Sequence, residues 1–269
     1  SLFIDKNGFL TCAPYKPAWL KDEGDNSNIQ IDDCPTLTVE EPNEDLLSEH
    51  WLREVSPSLN QWKSLAQKEA CFYALALKND ATLAISLPTG SGKSLVFHLL
   101  AKFTTGLTIV VIPTTALGLD HRISSNKIFE NDDSINPIFY HSGLNEFQSQ
   151  NLLETIKNRN TRLLFTSPEA CVNGKLRRLL DDLAINGYLK NLVIDEAHII
   201  DEWGHDFRVE FQLLSGLQKE WCKASNGSLR TFLLSATYSR HNMQTLHKLF
   251  KTGRWHQVIA QRLRPEMRY

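Results

Sequence analysis

The chain has 269 residues, of which 42% are hydrophobic and 22% charged, with a formal net charge of −2. That composition is ordinary for a soluble globular fold, and the length suits one large domain or one domain with an appendage. No stretch approaches the roughly 18 consecutive apolar residues of a membrane span, so no membrane partner is expected. Residues 1–60 hold 4 Lys/Arg against 12 Asp/Glu, whereas residues 61–269 hold 25 against 19. An acidic N-terminal appendage therefore precedes a mildly basic body. The appendage shows little helical periodicity. KDEGDNSN and EEPNED are polar turn clusters, and NIQI and TLTV are candidate small strands. From Gln61 the pattern changes, and QWKSLAQKEACFYALAL predicts an amphipathic helix. ATLAIS, LTIVVIP, NPIFYHS, RLLFTSP, KNLVIDEAH and TFLLSAT then read as short buried strands. Helical patterns alternate with them: KSLVFHLLAKF, NEFQSQNLLETIK, GKLRRLLDDLA, FQLLSGLQKEW and HNMQTLHKLF.

This alternation predicts an α/β fold with a mostly parallel sheet and helices on both faces. Right-handed crossovers place the C-terminal strand ends on one edge, where ligands bind in such sheets. The chemical motifs fall at those strand ends. The five cysteines, Cys12, Cys34, Cys71, Cys171 and Cys222, form no C-x-x-C pair. They argue against a zinc site and fit free thiols in a reducing, cytoplasmic setting.

Leu87-Pro88-Thr89-Gly90-Ser91-Gly92-Lys93-Ser94 follows a strand and opens a helix. Gly90 and Gly92 let backbone N–H groups curl around phosphates, and the helix points its positive end at them. Thr89 and Ser91 complete the loop, Lys93 reaches the β- and γ-phosphates of ATP, and the Ser94 hydroxyl ligates Mg²⁺. Leu87 stands where the strict phosphate-loop pattern begins with glycine. Further on, Leu192-Val193-Ile194-Asp195-Glu196-Ala197-His198 is an apolar strand ending in two carboxylates. Asp195 is placed to hold Mg²⁺ and Glu196 to position the attacking water. His198 either senses the γ-phosphate or ties this loop to a neighbour.

In this order, Pro88–Ser94, Asp195–His198 and Ser235-Ala236-Thr237 resemble motifs I, II and III of superfamily 2 helicases. Ile199-Ile200-Asp201-Glu202-Trp203-Gly204-His205-Asp206-Phe207-Arg208 is similar to the aromatic-rich loop of RecQ-type DNA helicases. The resemblance covers residues 61–269 and implies the first of two RecA-like P-loop NTPase lobes. It also implies a longer protein whose second lobe completes the ATP site, with DNA, single-stranded or tailed, as the nucleic-acid partner. Gln67 resembles the family's adenine-reading glutamine. Pro113-Thr114-Thr115 through Asp120-His121, and Thr166-Ser167-Pro168-Glu169, resemble backbone-contact motifs, which bind phosphate without reading sequence. Trp203, His205, Phe207 and Arg208 are implied to couple strand binding to hydrolysis, together with Ser235 and Thr237. Two other readings remain open at this point. One is an RNA helicase or double-strand translocase with the same core. The other is an ATP-gated interaction module whose acidic residues 1–60 dock a protein partner.

Overall fold

The computed structural model describes the backbone of residues 2–4, 10–12, 36–39, 50–202 and 209–260, and the side chains of 50–200 and 213–260. In chain order the elements begin with β1 (Leu2–Ile4), β2 (Leu10–Cys12), β3 (Thr36–Val39), α1 (His50–Val55), α2 (Leu65–Ala76), β4 (Ala81–Ser86), α3 (Leu95–Phe103), β5 (Leu107–Val111), α4 (Thr115–Ile128) and β6 (Ile138–Tyr140). They continue with α5 (Glu146–Lys157), β7 (Leu163–Thr166), α6 (Pro168–Val172), α7 (Gly174–Ile185), β8 (Leu189–Ile194), α8 (Ile199–Glu202), α9 (Val209–Ala224), β9 (Arg230–Ser235), α10 (Arg240–Phe250) and β10 (Arg254–Ala260).

The main sheet has the order β3-β10-β4-β9-β8-β5-β7-β6. Every pairing in it is parallel, as the alternation of strands and helices predicts. β4, β5, β7 and β9 are buried along their whole length because both faces of the sheet are covered. Alternate residues serve opposite faces. Leu83, Ile85, Val110, Val193, Phe232 and Leu234 join one core with α1, α2 and α3. Ala84, Ile109, Val111, Leu192, Ile194 and Leu233 join another with α7, α9 and α10. This is the two-residue period of a strand read out as two hydrophobic layers. Side chains of Ser64, Thr114, Asn145, Ser167 and Ser239 cap α2, α4, α5, α6 and α10, satisfying N–H groups that the first helical turn leaves open.

Pieces of the acidic segment join this body. Thr36–Val39, the expected TLTV strand, pairs with Gln257–Ala260. Leu52 and Val55 of α1 are buried beside α3. NIQI lies outside the described residues. Of the elements that the hydrophobic pattern does not predict, α4 and β10 are the longest. In β10, Gln257 is buried alongside Trp255 and Val258, so a polar residue interrupts the apolar run. In α4 only Gly118 and Ser125 are buried, while Leu117, Leu119 and Ile123 are exposed. That helix packs through small residues: a Cβ on Gly118 would collide with the Phe139 ring, and Ser125 Oγ lies 2.8 Å from His98 Nε2. Cys71, Cys171 and Cys222 are free and buried, and burial pushes the Cys71 thiol above its usual range and Cys171 up to about 12. No helix among the described residues is long and apolar enough to cross a membrane.

His98, on the inward face of α3, is 2% exposed. Burial first, and the nearby His121 second, push its imidazole down to about 3. The unfolded imidazole takes a proton near 6.5, so between those values the unfolded chain binds more protons than the folded one. Stability from this group is therefore full above about 6.5 and is lost as pH falls towards about 3. Thermal melting followed from about pH 7 to about pH 5 should show a declining midpoint, and a shallower decline for His98→Leu. An unchanged slope in that variant would assign the acid sensitivity to other groups.

Candidate nucleotide and nucleic-acid site

The strands carrying the three main motifs, β4, β9 and β8, are neighbours in parallel register. Their C-terminal ends therefore open onto one edge. Leu87–Ser94 leaves β4 there. Leu87 is fully buried, and its N–H donates to the Ser235 carbonyl at 3.0 Å. The side chain that departs from the glycine pattern thus serves the core. Gly90 and Gly92 adopt φ of +83° and +81°, the left-handed region that glycine enters without cost to a Cβ. Ser91 Oγ donates to the Pro88 carbonyl at 2.5 Å, and Thr89 is exposed. Ser94 stands at the N-cap of α3 without a side-chain capping bond, so the helix start does not use its hydroxyl.

Gln67 lies under this loop. It is 3% exposed. Its Oε1 accepts from Lys63 N at 2.8 Å, and its Nε2 donates to the Gly92 carbonyl at 3.1 Å. Lys63 Nζ donates to the Gly90 carbonyl at 3.2 Å. The start of α2 is thereby fastened to the phosphate loop, and both ends of the Gln67 amide are engaged.

The acidic loop leaves β8 and reaches both neighbours. Lys93 Nζ lies 3.0 Å from Glu196 Oε1. Glu196 Oε2 lies 3.3 Å from His198 Nδ1, which is 2.9 Å from Ser235 Oγ. Motifs I, II and III are therefore linked side chain to side chain. Glu196 itself has φ +51°, an unfavourable conformation for a non-glycine residue that persists where the surroundings over-determine it. Asp195 is 5% exposed. Its Oδ1 accepts from Glu196 N at 3.1 Å, and its Oδ2 lies 3.2 Å from His121 Nε2.

The remaining expected contacts lie along the same edge. Pro113 is buried, while Thr114 and Thr115 are exposed where β5 passes into α4. Ser167 caps α6 with its hydroxyl and is 7% exposed. Thr237 is exposed, and its N–H donates to Ser235 Oγ at 3.2 Å. Trp203, His205, Phe207 and Arg208 lie outside the described residues. Sequence reading placed His121 only at the end of the Pro113–His121 backbone-contact motif, where its contact with Asp195 was not foreseen, and assigned nothing to Asn242 or Tyr238. Asn242 Nδ2 donates to the His198 carbonyl at 3.1 Å. The Tyr238 hydroxyl is buried and has no hydrogen-bond partner among the described residues. Burial, with the charges of Asp195 and Glu196, holds its O–H well above the usual tyrosine range. The signal for Tyr238 and Asn242 was their position just after Ser235–Thr237.

These groups fit a magnesium nucleotide. A hydroxyl and a carboxylate are the hard oxygen donors Mg²⁺ takes from protein, with phosphate and water supplying the rest. The Gly90–Lys93 cradle offers room, cation and N–H donors for the phosphates.

A family model described as DEAD/DEAH box helicase matches residues 64–246. The chain is 33% identical over 150 residues to the ATP-dependent DNA helicase Q5 of Rattus norvegicus, covering 55% of this chain and 15% of that protein. It is 31% identical over 198 residues to the ATP-dependent DNA helicase RecQ of Haemophilus influenzae, covering 72% of this chain and 29% of that protein. It thus spans well under half the length of these relatives. Among solved structures, the DEAD-box helicase Mss116 bound to ssRNA and UDP-BeF superposes with a TM-score of 0.62 at 18% identity, over 84% of this chain and 47% of that one. The DUF1998 helicase MrfA bound to DNA gives 0.58 at 18%, over 81% and 31%. At such identities the likeness shows the RecA-like helicase fold.

A Cβ on Gly92 would collide with the Gln67 amide, in a backbone conformation that side chains resist. Gly92→Ala should lower stability by about 1 kcal/mol or more and weaken nucleotide binding by roughly tenfold, about 1.4 kcal/mol. Thermal melting and titration with a fluorescent nucleotide read the two effects separately. Unchanged nucleotide affinity would remove Gly92 from the cradle.

Proposed function

The chain belongs to the DEAD/DEAH box helicase family, and on that premise we propose that it is the first motor lobe of a RecQ-like ATP-dependent DNA helicase. The observation that carries this reading is the contact at 3.0 Å between Lys93 at the end of β4 and Glu196 at the end of β8. On this reading Lys93 would be the phosphate-binding cation and Glu196 the water-positioning carboxylate, and their contact would bring the two roles to one point. Their roles follow from charge. The phosphates of ATP compete with Glu196 for the Lys93 ammonium, and the backbone N–H groups of Gly90–Lys93 bind the same anion. Glu196, released from Lys93, then accepts a hydrogen bond from the attacking water. His198 holds the other oxygen of that carboxylate. Ser94 and Asp195 would hold Mg²⁺, which neutralises charge developing on the phosphates. Phosphoryl transfer demands mainly such positioning and charge stabilisation.

The exposed Thr114 and Thr115 support contacts to a nucleic-acid backbone at the end of β5. The names of the similar curated proteins favour DNA over RNA. A second RecA-like lobe would complete the ATP site and step against this one as the cleft closes and opens. Gln67 would exchange its bond to Gly92 for the adenine edge. Trp203, His205, Phe207 and Arg208 would couple strand binding to hydrolysis by stacking and charge. Residues 1–60, with 12 Asp/Glu against 4 Lys/Arg, would dock a protein partner.

ATP hydrolysis by the full-length protein should rise with single-stranded DNA and respond less to single-stranded RNA, and Lys93→Ala should abolish it. Turnover indifferent to both nucleic acids would favour the ATP-gated switch. In the same assay, Trp203→Ala should leave basal turnover near wild type and blunt the DNA response. A full response would remove Trp203 from the coupling path.

A further inference from the structure

We infer that His121 is the positioning residue for Asp195, and that it ties the metal-binding carboxylate to the helix that opens with the backbone-contact segment. This inference rests on the motor reading above for the identity of Asp195 as the Mg²⁺ ligand. His121 lies in α4, whose first residue, Thr115, directly follows Pro113 and Thr114. Its Nε2 reaches Asp195 Oδ2 at 3.2 Å. Asp195 Oδ1 accepts from Glu196 N within its own loop. The second oxygen is thus held from a different element, on the other side of β8 from Ser235.

The imidazole has little freedom. It stacks on Phe165 at 6.0 Å with an 18° interplanar angle, and it meets Phe97 edge-on at 5.4 Å and 85°. Both phenylalanines are buried, at 0% and 1% exposure. Phe97 belongs to α3, which follows the phosphate loop, and Phe165 stands one residue before Thr166 at the end of β7. A ring clamped by two core aromatics delivers its donor in a fixed direction, and a carboxylate retains further lone pairs for a cation after accepting that bond. When α4 shifts as Thr114 and Thr115 take up a nucleic-acid backbone, the donor on Asp195 shifts with it.

The test uses the full-length protein with His121→Phe, which keeps the ring and loses the donor, and His121→Gln, which keeps a donor of similar reach. The first readout is binding of a fluorescent ADP analogue, titrated with Mg²⁺ and without nucleic acid. His121→Phe should raise the Mg²⁺ concentration for half-maximal binding about ten- to a hundredfold, the scale of losing a hydrogen-bond partner of a metal-holding carboxylate. It should leave metal-free nucleotide binding unchanged, and His121→Gln should restore most of the Mg²⁺ response. An unshifted Mg²⁺ requirement in His121→Phe overturns the assignment. So does equal weakening of metal-free binding in both variants, which would mark a packing role. The second readout is DNA-stimulated ATPase, where His121→Phe should lose more of the stimulation than of the basal rate, and equal losses overturn the link to α4. A wild-type ATPase that ignores DNA would sink the motor reading and leave the Mg²⁺ result standing.

Discussion

Parallel pairing of β4, β9 and β8 is the constraint on which the site depends. Each of these strands runs in the same direction, so each delivers its following loop to the same edge. An antiparallel neighbour among them would send its loop to the opposite end. The phosphate loop and the acidic loop lie about one hundred residues apart in sequence, and only the register of the sheet makes Lys93 and Glu196 neighbours. β4 and β9 are buried along their whole length, and β8 at every residue but Lys190. The hydrophobic layers therefore fix the frame, and the polar chemistry is confined to the loops where backbone and side chains can meet a ligand.

The acidic loop is held from both flanks. Toward β9, the Ala197 N–H donates to the Leu234 carbonyl at 2.9 Å, His198 meets Ser235 Oγ, and Asn242 holds the His198 carbonyl. Toward β5, the Asp195 N–H donates to the Val111 carbonyl at 2.9 Å, and His121 meets the carboxylate. This anchoring explains how Glu196 keeps a left-handed backbone. A strained conformation of that kind costs on the order of 1–3 kcal/mol and survives where several independent contacts specify it. The strain fits a loop whose task is to aim a carboxylate, and glycine there would surrender the carboxylate itself.

Much of this was legible in the sequence, for physical reasons particular to each segment. Continuous apolar runs such as ATLAIS and LVI identify strands buried on both faces, and glycines at positions 90 and 92 mark a loop that needs positive φ. Asp195 and Glu196 stand out because two carboxylates at the end of an apolar strand have no role in a core. What escaped reading was packing that apolar periodicity does not report. α4 meets the body through Gly118, Ser125 and His121, so its hydrophobic residues point outward and the pattern looks wrong for a packed helix. β10 buries Gln257 among apolar neighbours. The double engagement of Gln67 is a tertiary fact: its partners are backbone groups of Lys63 and Gly92, and a backbone carbonyl leaves no mark in the one-letter code.

A rigid sheet with polar loops also limits how the site can respond to a ligand. Packed interiors transmit displacement and resist gradual deformation, so changes at one strand end reach another chiefly through the few side chains that bridge loops. Gln67 bridges α2 and the phosphate loop, Ser235 bridges β9 and the acidic loop, and His121 bridges α4 and the acidic loop. Each bridge has polar partners on one side and core contacts behind it. Gln67 is nearly fully buried, Ser235 fully so, and the His121 ring is wedged between Phe97 and Phe165. A bridge backed by the core moves as a unit with its element, whereas an exposed side chain would absorb the same displacement by changing rotamer. Burial behind these polar contacts is therefore what makes them capable of relaying a ligand's arrival across the edge of the sheet.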